Sequence, residues 1–291
     1  MEVLRYSPKG DVPIAANLSI TFSQPMVALT SQTEAAQNIP VKLSPQPQGQ
    51  WRWLGTKTLV FEPKNRFPMS TEYSIEVASG VKSATGQTLR TPVNWKFKTP
   101  TLTLKNYFPR NGSVGTDPII FLEFDQEINK NTILQNIKVS SDKASYKVRL
   151  ATQEEVDASK EIAYLVKSAK DKYSLTIKVD NGLASKLVAP LPNDTNINVS
   201  VEAGTLSTEG PLKTPTKQEF SFTTYSPLQV NSHSCYKSIY ACEPSGYVNF
   251  SFNNELDPKS LDLSKAEMSP KLSGMKLQAN GSYITVIGRF K

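Results

Sequence analysis

One histidine and two cysteines are all the soft-ligand chemistry that this 291-residue chain contains. A single histidine cannot build a multi-histidine metal site, and it allows an imidazole relay in one place only. Two cysteines and one histidine fall short of the four ligands of a structural zinc. No apolar run approaches the ~18 residues needed to span a bilayer. The N-terminus, Met1-Glu-Val-Leu-Arg-Tyr-Ser-Pro8, enters a strand-like pattern at once, without the basic and apolar regions of a signal peptide. Nor is there a Lys/Arg-rich run: basic residues such as Lys96 and Lys98, flanking Phe97, are scattered singly. The formal charge of +7 therefore reads as a solvated surface, and nucleic acid is not expected as a partner. What the chain does have is 38% hydrophobic and 20% charged residues, enough for packed cores, and 20 prolines to 14 glycines as punctuation. That balance suits a modular, non-catalytic protein.

The sequence repeats itself. Leu18-Ser-Ile-Thr-Phe22-Ser-Gln24-Pro-Met26 alternates apolar and polar residues with a period of two. The pattern returns as Ile120-Phe-Leu122-Glu-Phe124-Asp-Gln126-Glu-Ile128, and again as Val248-Asn-Phe250-Ser-Phe252-Asn-Asn254-Glu-Leu256. Each copy aligns three apolar side chains on one face, then sets Gln or Asn two positions beyond the last. Half-buried antiparallel strands require such alternation. The flanks agree: Pro8-Lys-Gly10 and Pro109-Arg-Asn-Gly112 mark a turn before the first two copies. Downstream, Tyr73-Ser-Ile75-Glu-Val77-Ala-Ser-Gly80 parallels Ile197-Asn-Val199-Ser-Val201-Glu-Ala-Gly204, and Trp95–Thr99 parallels Phe220–Thr224.

Several short strands per copy and little helix signal predict an all-β chain of tandem immunoglobulin-like antiparallel β-sandwiches. The expected domains are 1–100, 101–226 and 227–291, linked through Pro100 and through Tyr225-Ser-Pro227. The second carries an insertion near 151–170, where Thr152 and Glu155 form a capping-box signature. The apolar run Ile162 to Val166 reads equally as helix or strand. In the third, Ser282 to Ile287 aligns with Thr58 to Phe61 or with Tyr173 to Ile177, and partners for Tyr73–Val77 and Trp95–Thr99 are missing. The third sandwich is expected to be incomplete and the chain a fragment of a larger protein.

Candidate chemistry is sparse. His233 and Cys235 lie two apart in Asn231-Ser-His-Ser-Cys-Tyr236, without a third member, so His233 reads as a surface residue. Cys235 and Cys242 are free thiols in a cytosolic protein, or a disulfide closing a local loop in an exported one; the disulfide is the expectation. Glu154, Glu155, Asp125 and Glu127 are carboxylates without a recognisable acid/base pattern, and Glu127 occupies the place of Pro25 and Glu255 in the other copies. Pro192-Asn-Asp194-Thr-Asn196 reads as a turn rather than a calcium loop. Phosphate-loop, nucleophile-elbow and His-Glu-x-x-His patterns do not occur. No catalytic, cofactor-binding or metal-ligating residue is expected. Trp51 and Trp53, on one strand face with Arg52 opposite, read as core, with a sugar- or peptide-binding platform as the alternative.

The first hundred residues resemble a known family. Phe22-Ser-Gln-Pro-Met26, the block Pro45-Gln-Pro-Gln-Gly-Gln-Trp51-Arg-Trp53-Leu-Gly-Thr-Lys57-Thr-Leu-Val-Phe61-Glu-Pro63, Arg66-Phe-Pro-Met69-Ser-Thr-Glu-Tyr73 and the Ser-Ala-Thr-Gly-Gln-Thr-Leu89 stretch are similar to the N-terminal macroglobulin domain of bacterial α2-macroglobulins. Modules two and three resemble it more loosely. The short Phe-Ser-Gln-Pro-Met signature also resembles Ig-like modules of surface-layer proteins. The resemblance implies macroglobulin-type sandwiches belonging to a periplasmic or envelope-anchored protease trap, whose partners are target proteases reached through parts outside this chain. It also implies that any membrane anchor is a lipid on a missing N-terminal segment. Many family members carry a thioester built on Cys-x-Glu-Gln; Cys235-Tyr-Lys-Ser and Cys242-Glu-Pro-Ser do not match it. The alternatives are a tandem Ig-like stalk or adhesin of the cell envelope, and an ancillary arm of a carbohydrate-active enzyme.

Overall fold

A computed structural model describes residues 1–28, 39–110, 112–180, 191–237, 243, 246–257, 261–267, 269 and 273–289. Module one contains β1 (Val3–Ser7), β2 (Gly10–Asp11), β3 (Leu18–Phe22), β4 (Lys42–Ser44), β5 (Gly49–Leu54), β6 (Thr58–Pro63), β7 (Glu72–Val77) and β8 (Val93–Lys98). They form two sheets, β1-β3-β6-β5 and β2-β8-β7-β4. The alternation decides which face is buried. Leu18, Ile20 and Phe22 point inward and are sealed from solvent, sharing one core with Leu43, Tyr73, Ile75 and Phe97 of the other sheet. After β1 the chain turns at Pro8 and changes sheets, so that β2 runs parallel to β8. Gly10 makes this turn with φ +69, a conformation that favours glycine.

Module two repeats the plan with β9 (Leu104–Phe108), β10 (Ser113–Val114), β11 (Ile120–Phe124), α1 (Lys130–Leu134), β12 (Ile137–Ser140), β13 (Ser145–Tyr146) and β14 (Val148–Leu150). It continues with α2 (Gln153–Ala158), α3 (Lys160–Ser168), β15 (Ser174–Val179), β16 (Asn196–Val201) and β17 (Gln218–Thr224). The sheets β14-β15-β11-β9 and β10-β17-β16-β12-β13 enclose Ile120, Leu122 and Phe124. β10 again runs parallel to the last strand, β17.

The insertion is two helices, and the run Ile162 to Val166 is helical rather than extended. The reason lies on β11. Phe121 breaks the alternation by putting an aromatic ring on the outer face, where Val156 and Ile162 bury it completely. Thr152 and Glu155 close the capping box, with Glu155 N donating to Thr152 Oγ1 at 3.2 Å and Thr152 N to Glu155 Oε2 at 2.8 Å. Arg149 grips the same carboxylate through both terminal nitrogens, at 2.8 and 2.6 Å. The Arg149 guanidinium, with help from the Thr152 N–H and Lys178, holds Glu155 down to a pKa of about 2 against the opposing effect of burial.

Module three contributes one sheet among the described residues, ordered β18 (Val230–Cys235), β19 (Tyr247–Phe252), β21 (Tyr283–Arg289), β20 (Ser273–Asn280). β21 pairs with β19 as β6 pairs with β3 and β15 with β11. Its inward residues Phe250, Phe252, Leu277 and Ile284 are only half-buried and line an open groove of about 370 Å³.

One corner recurs in all three modules. The residue after the last apolar position of the repeat is Ser23, Asp125 or Asn253. Its N–H donates to the carbonyl of Glu2, Thr103 or Gln229, at 2.9, 3.1 and 3.1 Å. Its side-chain oxygen accepts the N–H of that same residue, at 2.9, 2.8 and 2.8 Å. The reciprocal pair ties the entry of each module to the end of its central strand, satisfying backbone groups that a sheet edge would leave open.

Two outcomes follow. Phe124→Ala removes a sealed ring and costs about 3–5 kcal/mol, while Phe252→Ala, at the equivalent but half-open position, costs clearly less; urea unfolding of each variant measures the difference. Glu155 has a depressed pKa, so its contribution is complete above the ordinary value of 4.5 and drains away as pH falls towards about 2. Helical circular dichroism is expected to decline across that window, and Glu155→Gln to flatten the decline.

Candidate functional site

The residues singled out in the sequence do not converge. His233 lies exposed on β18, its ring 6.3 Å from that of Phe250. Cys235, at the end of the same strand, is disulfide-bonded, and Cys242, the other cysteine of the chain, lies outside the described residues. Glu154 is exposed on α2, and Glu155 is committed to its cap and to Arg149. Burial raises the Asp125 pKa, opposed by the Thr103 N–H that its carboxylate accepts. Trp53 is buried in the first core, and Trp51 packs at its rim, 5.0 Å from the Phe61 ring, with Nε1 donating to Gln46 Oε1 at 3.3 Å. Trp53 is buried and Trp51 half-buried, so the two indoles form no continuous exposed strip. No group of three His, Cys, Asp or Glu side chains suited to a metal occurs among the described residues.

Polar groups gather instead where module one meets module two. Three segments supply them: the loop Arg66-Phe-Pro-Met69-Ser70-Thr71 before β7, the corner Asp125-Gln126-Glu127 after β11, and the loop 202–217 between β16 and β17. Ser70 sits at φ 51, a left-handed conformation rare outside glycine, and it is completely buried. Its hydroxyl donates to Gln126 Oε1 at 2.7 Å, and its N–H to Pro100 O at 2.8 Å. The Gln126 amide, equally buried, donates in turn to Pro100 O at 3.0 Å. Both sides of the linker are thus satisfied without water, as a buried polar cluster demands.

Glu209 closes the joint from the module-two loop. Its carboxylate accepts from Arg66 Nη2 at 2.9 Å, Met69 N at 3.0 Å, Glu127 N at 3.1 Å and Tyr173 Oη at 3.4 Å. Burial works against the Arg66 cation, but the bond and charge of Glu209 outweigh it and raise its pKa. Burial, then the charge of Glu209, raises that of Tyr173. Next in sequence, Gly210 rests on the module-one loop so closely that a Cβ would collide with Thr71 Oγ1 and with the carbonyls of Ser70 and Met69. Leu212 N then donates to Ser70 O at 2.7 Å. Beside the joint opens a groove of about 600 Å³ lined by Val12, Pro13, Pro100, Leu212 and Pro215, where Lys98 pairs with Asp11 at 3.3 Å.

In the sequence Gln126 shows only as a recurring residue, Ser70 only as part of the stretch Arg66 to Tyr73, and Glu209 does not stand out. Glu209 stands 140 residues from Met69, and neither its spacing nor its surroundings announce the partner.

This is the geometry of a tandem sandwich array with a built joint. Residues 2–99 match the bacterial Ig-like domain family. The likeness to bacterial α2-macroglobulins is present as well: a 65-residue stretch is 32% identical to an alpha-2-macroglobulin homolog of Yersinia pestis. That stretch covers 22% of this chain and 3% of the relative. Among solved structures, Escherichia coli alpha-2-macroglobulin spanning domains MG0-NIE-MG1 is similar at 15% identity and a TM-score of 0.25, over 86% of this chain and 77% of that one. The N-terminal part of the bacterial S-layer protein SbsC is similar at 12% identity and a TM-score of 0.28, over 63% and 37%. No inference follows from structural likeness at those scores. No helix among the described residues is long and apolar enough to cross a membrane.

Gly210→Ala tests the closeness of the joint. The added methyl has nowhere to go, and overpacking of this kind costs about 1–3 kcal/mol. Scanning calorimetry is expected to show a lowered transition for the variant, while the equally conservative Gly204→Ala, whose Cβ would meet open space at φ +84, acts only through local strain.

Proposed function

We propose that the chain is a scaffold segment of a bacterial α2-macroglobulin-like protease inhibitor, with a mechanical and non-catalytic role. The observation that carries this reading is the stretch 32% identical to a bacterial alpha-2-macroglobulin homolog, inside a chain built of linked sandwiches. In such a protein the segment holds shape and sets the position of parts that meet the protease. Target proteases are then partners of the whole molecule rather than of these residues. Export to the periplasm or cell envelope goes with this role, and with a disulfide at Cys235 in a small, half-covered module. Membrane attachment, where it occurs, goes under this reading with a lipid anchor on the whole protein.

A second reading, a tandem Ig-like stalk or adhesin of the envelope, is favoured by the match of residues 2–99 to a general bacterial Ig-like family. The two readings part on the longer polypeptide. Under the first, the gene encodes a macroglobulin core after this region. The full protein then protects large protein substrates from an added protease while the 291-residue segment alone does not. A parent built only of further Ig-like repeats, without protease capture, excludes the inhibitor reading and leaves the stalk.

A further inference from the structure

The two joints of the chain share a plan. Both use the recurring corner: Asp125 bonds to Thr103 at the first and Asn253 to Gln229 at the second. Both also use the amide two positions beyond the central strand. Gln126 donates to Pro100 O at 3.0 Å, and Asn254 to Ser226 O at 2.6 Å, in each case the carbonyl three residues before the corner partner. Even the receptacle recurs, because Asp194 holds the place of Ser70 with φ 48 against 51. Thr224 Oγ1 donates to Pro192 O as Thr99 Oγ1 does to Pro68 O.

The second joint keeps the direct bonds of this receptacle, with Asp194 N donating to Tyr225 O at 3.1 Å as Ser70 N does to Pro100 O, and Ser226 Oγ donating to Asp194 Oδ1 at 3.1 Å. The first joint carries a strap as well. The loop 202–217 crosses from module two onto module one, bringing Glu209, Gly210 and Leu212 against Arg66, Met69 and Ser70.

We propose that the loop 202–217 is an interdomain lock that makes the first two sandwiches turn as one body. The lock follows from where the bonds are. A carboxylate that is 13% exposed and shared by donors from both modules cannot be given up to water one bond at a time. The inference stands for any parent protein, inhibitor or stalk.

Double electron–electron resonance between nitroxide-bearing unnatural side chains at exposed Lys42 and Lys143, one on each module, tests it, with the pair Lys42 and Lys64 inside module one as the reference for a rigid body. The Lys42–Lys143 distance distribution is expected to be no wider than the reference, and Glu209→Ala to widen it while leaving the reference unchanged. A Lys42–Lys143 distribution clearly wider than the reference in the unaltered chain overturns the proposal. So does a Lys42–Lys143 width untouched by Glu209→Ala in a variant whose circular dichroism shows intact sheets. Should that variant not fold, the comparison of widths in the unaltered chain still decides.

Discussion

A sheet with one apolar face must have that face covered, and most of this chain follows from that constraint. In modules one and two the cover is a second sheet, and the central-strand residues from Leu18 to Phe22 and from Ile120 to Phe124 lose all contact with water at their apolar positions. Phe121 adds a second apolar face to β11, and a helical pair is present to cover it. In module three the described residues form one sheet, with Phe250 and Phe252 half-buried on its apolar face.

Polar groups follow a complementary logic at the joints. Ser70 and Gln126 are buried only because each finds a partner in the other and in Pro100 O. Glu209 keeps its charge at low exposure because Arg66 and two backbone N–H groups surround it. Removing any one member strands the others, so the cluster behaves as a unit rather than as a sum of contacts. That is what separates a built joint from two domains that happen to touch.

How much of this was legible in the sequence depended on range. Period-two alternation is local, so Leu18-Ser-Ile-Thr-Phe22 and its copies announced strands, faces and repeat. The capping box was legible for the same reason, since Thr152 and Glu155 are neighbours. The helix at Ile162 to Val166 was not, because a short apolar run fits either period and its choice is made by Phe121, some forty residues earlier. The recurrence of Gln126 was visible, but its role needed the carbonyl of Pro100 beside it. Glu209 was invisible, since a lone carboxylate in a turn looks like any solvated charge until Arg66 is folded against it.

The sheet change at Pro8 and Pro109 has a mechanical consequence. β2 and β10 lie parallel to the final strands of their modules, with Gly10 opposite Phe97 and Ser113 opposite Thr223. The N–H of Val12 reaches Lys98 O, and that of Tyr225 reaches Val114 O. Tension on the two ends of a domain that passes β1 or β9 and reaches this parallel pair pulls it in shear. Its hydrogen bonds then carry the load together, whereas an antiparallel pair at the same place would peel open one bond after another. Each of the first two modules thus holds a short pair, of its second and last strands, set to resist stretching between its ends.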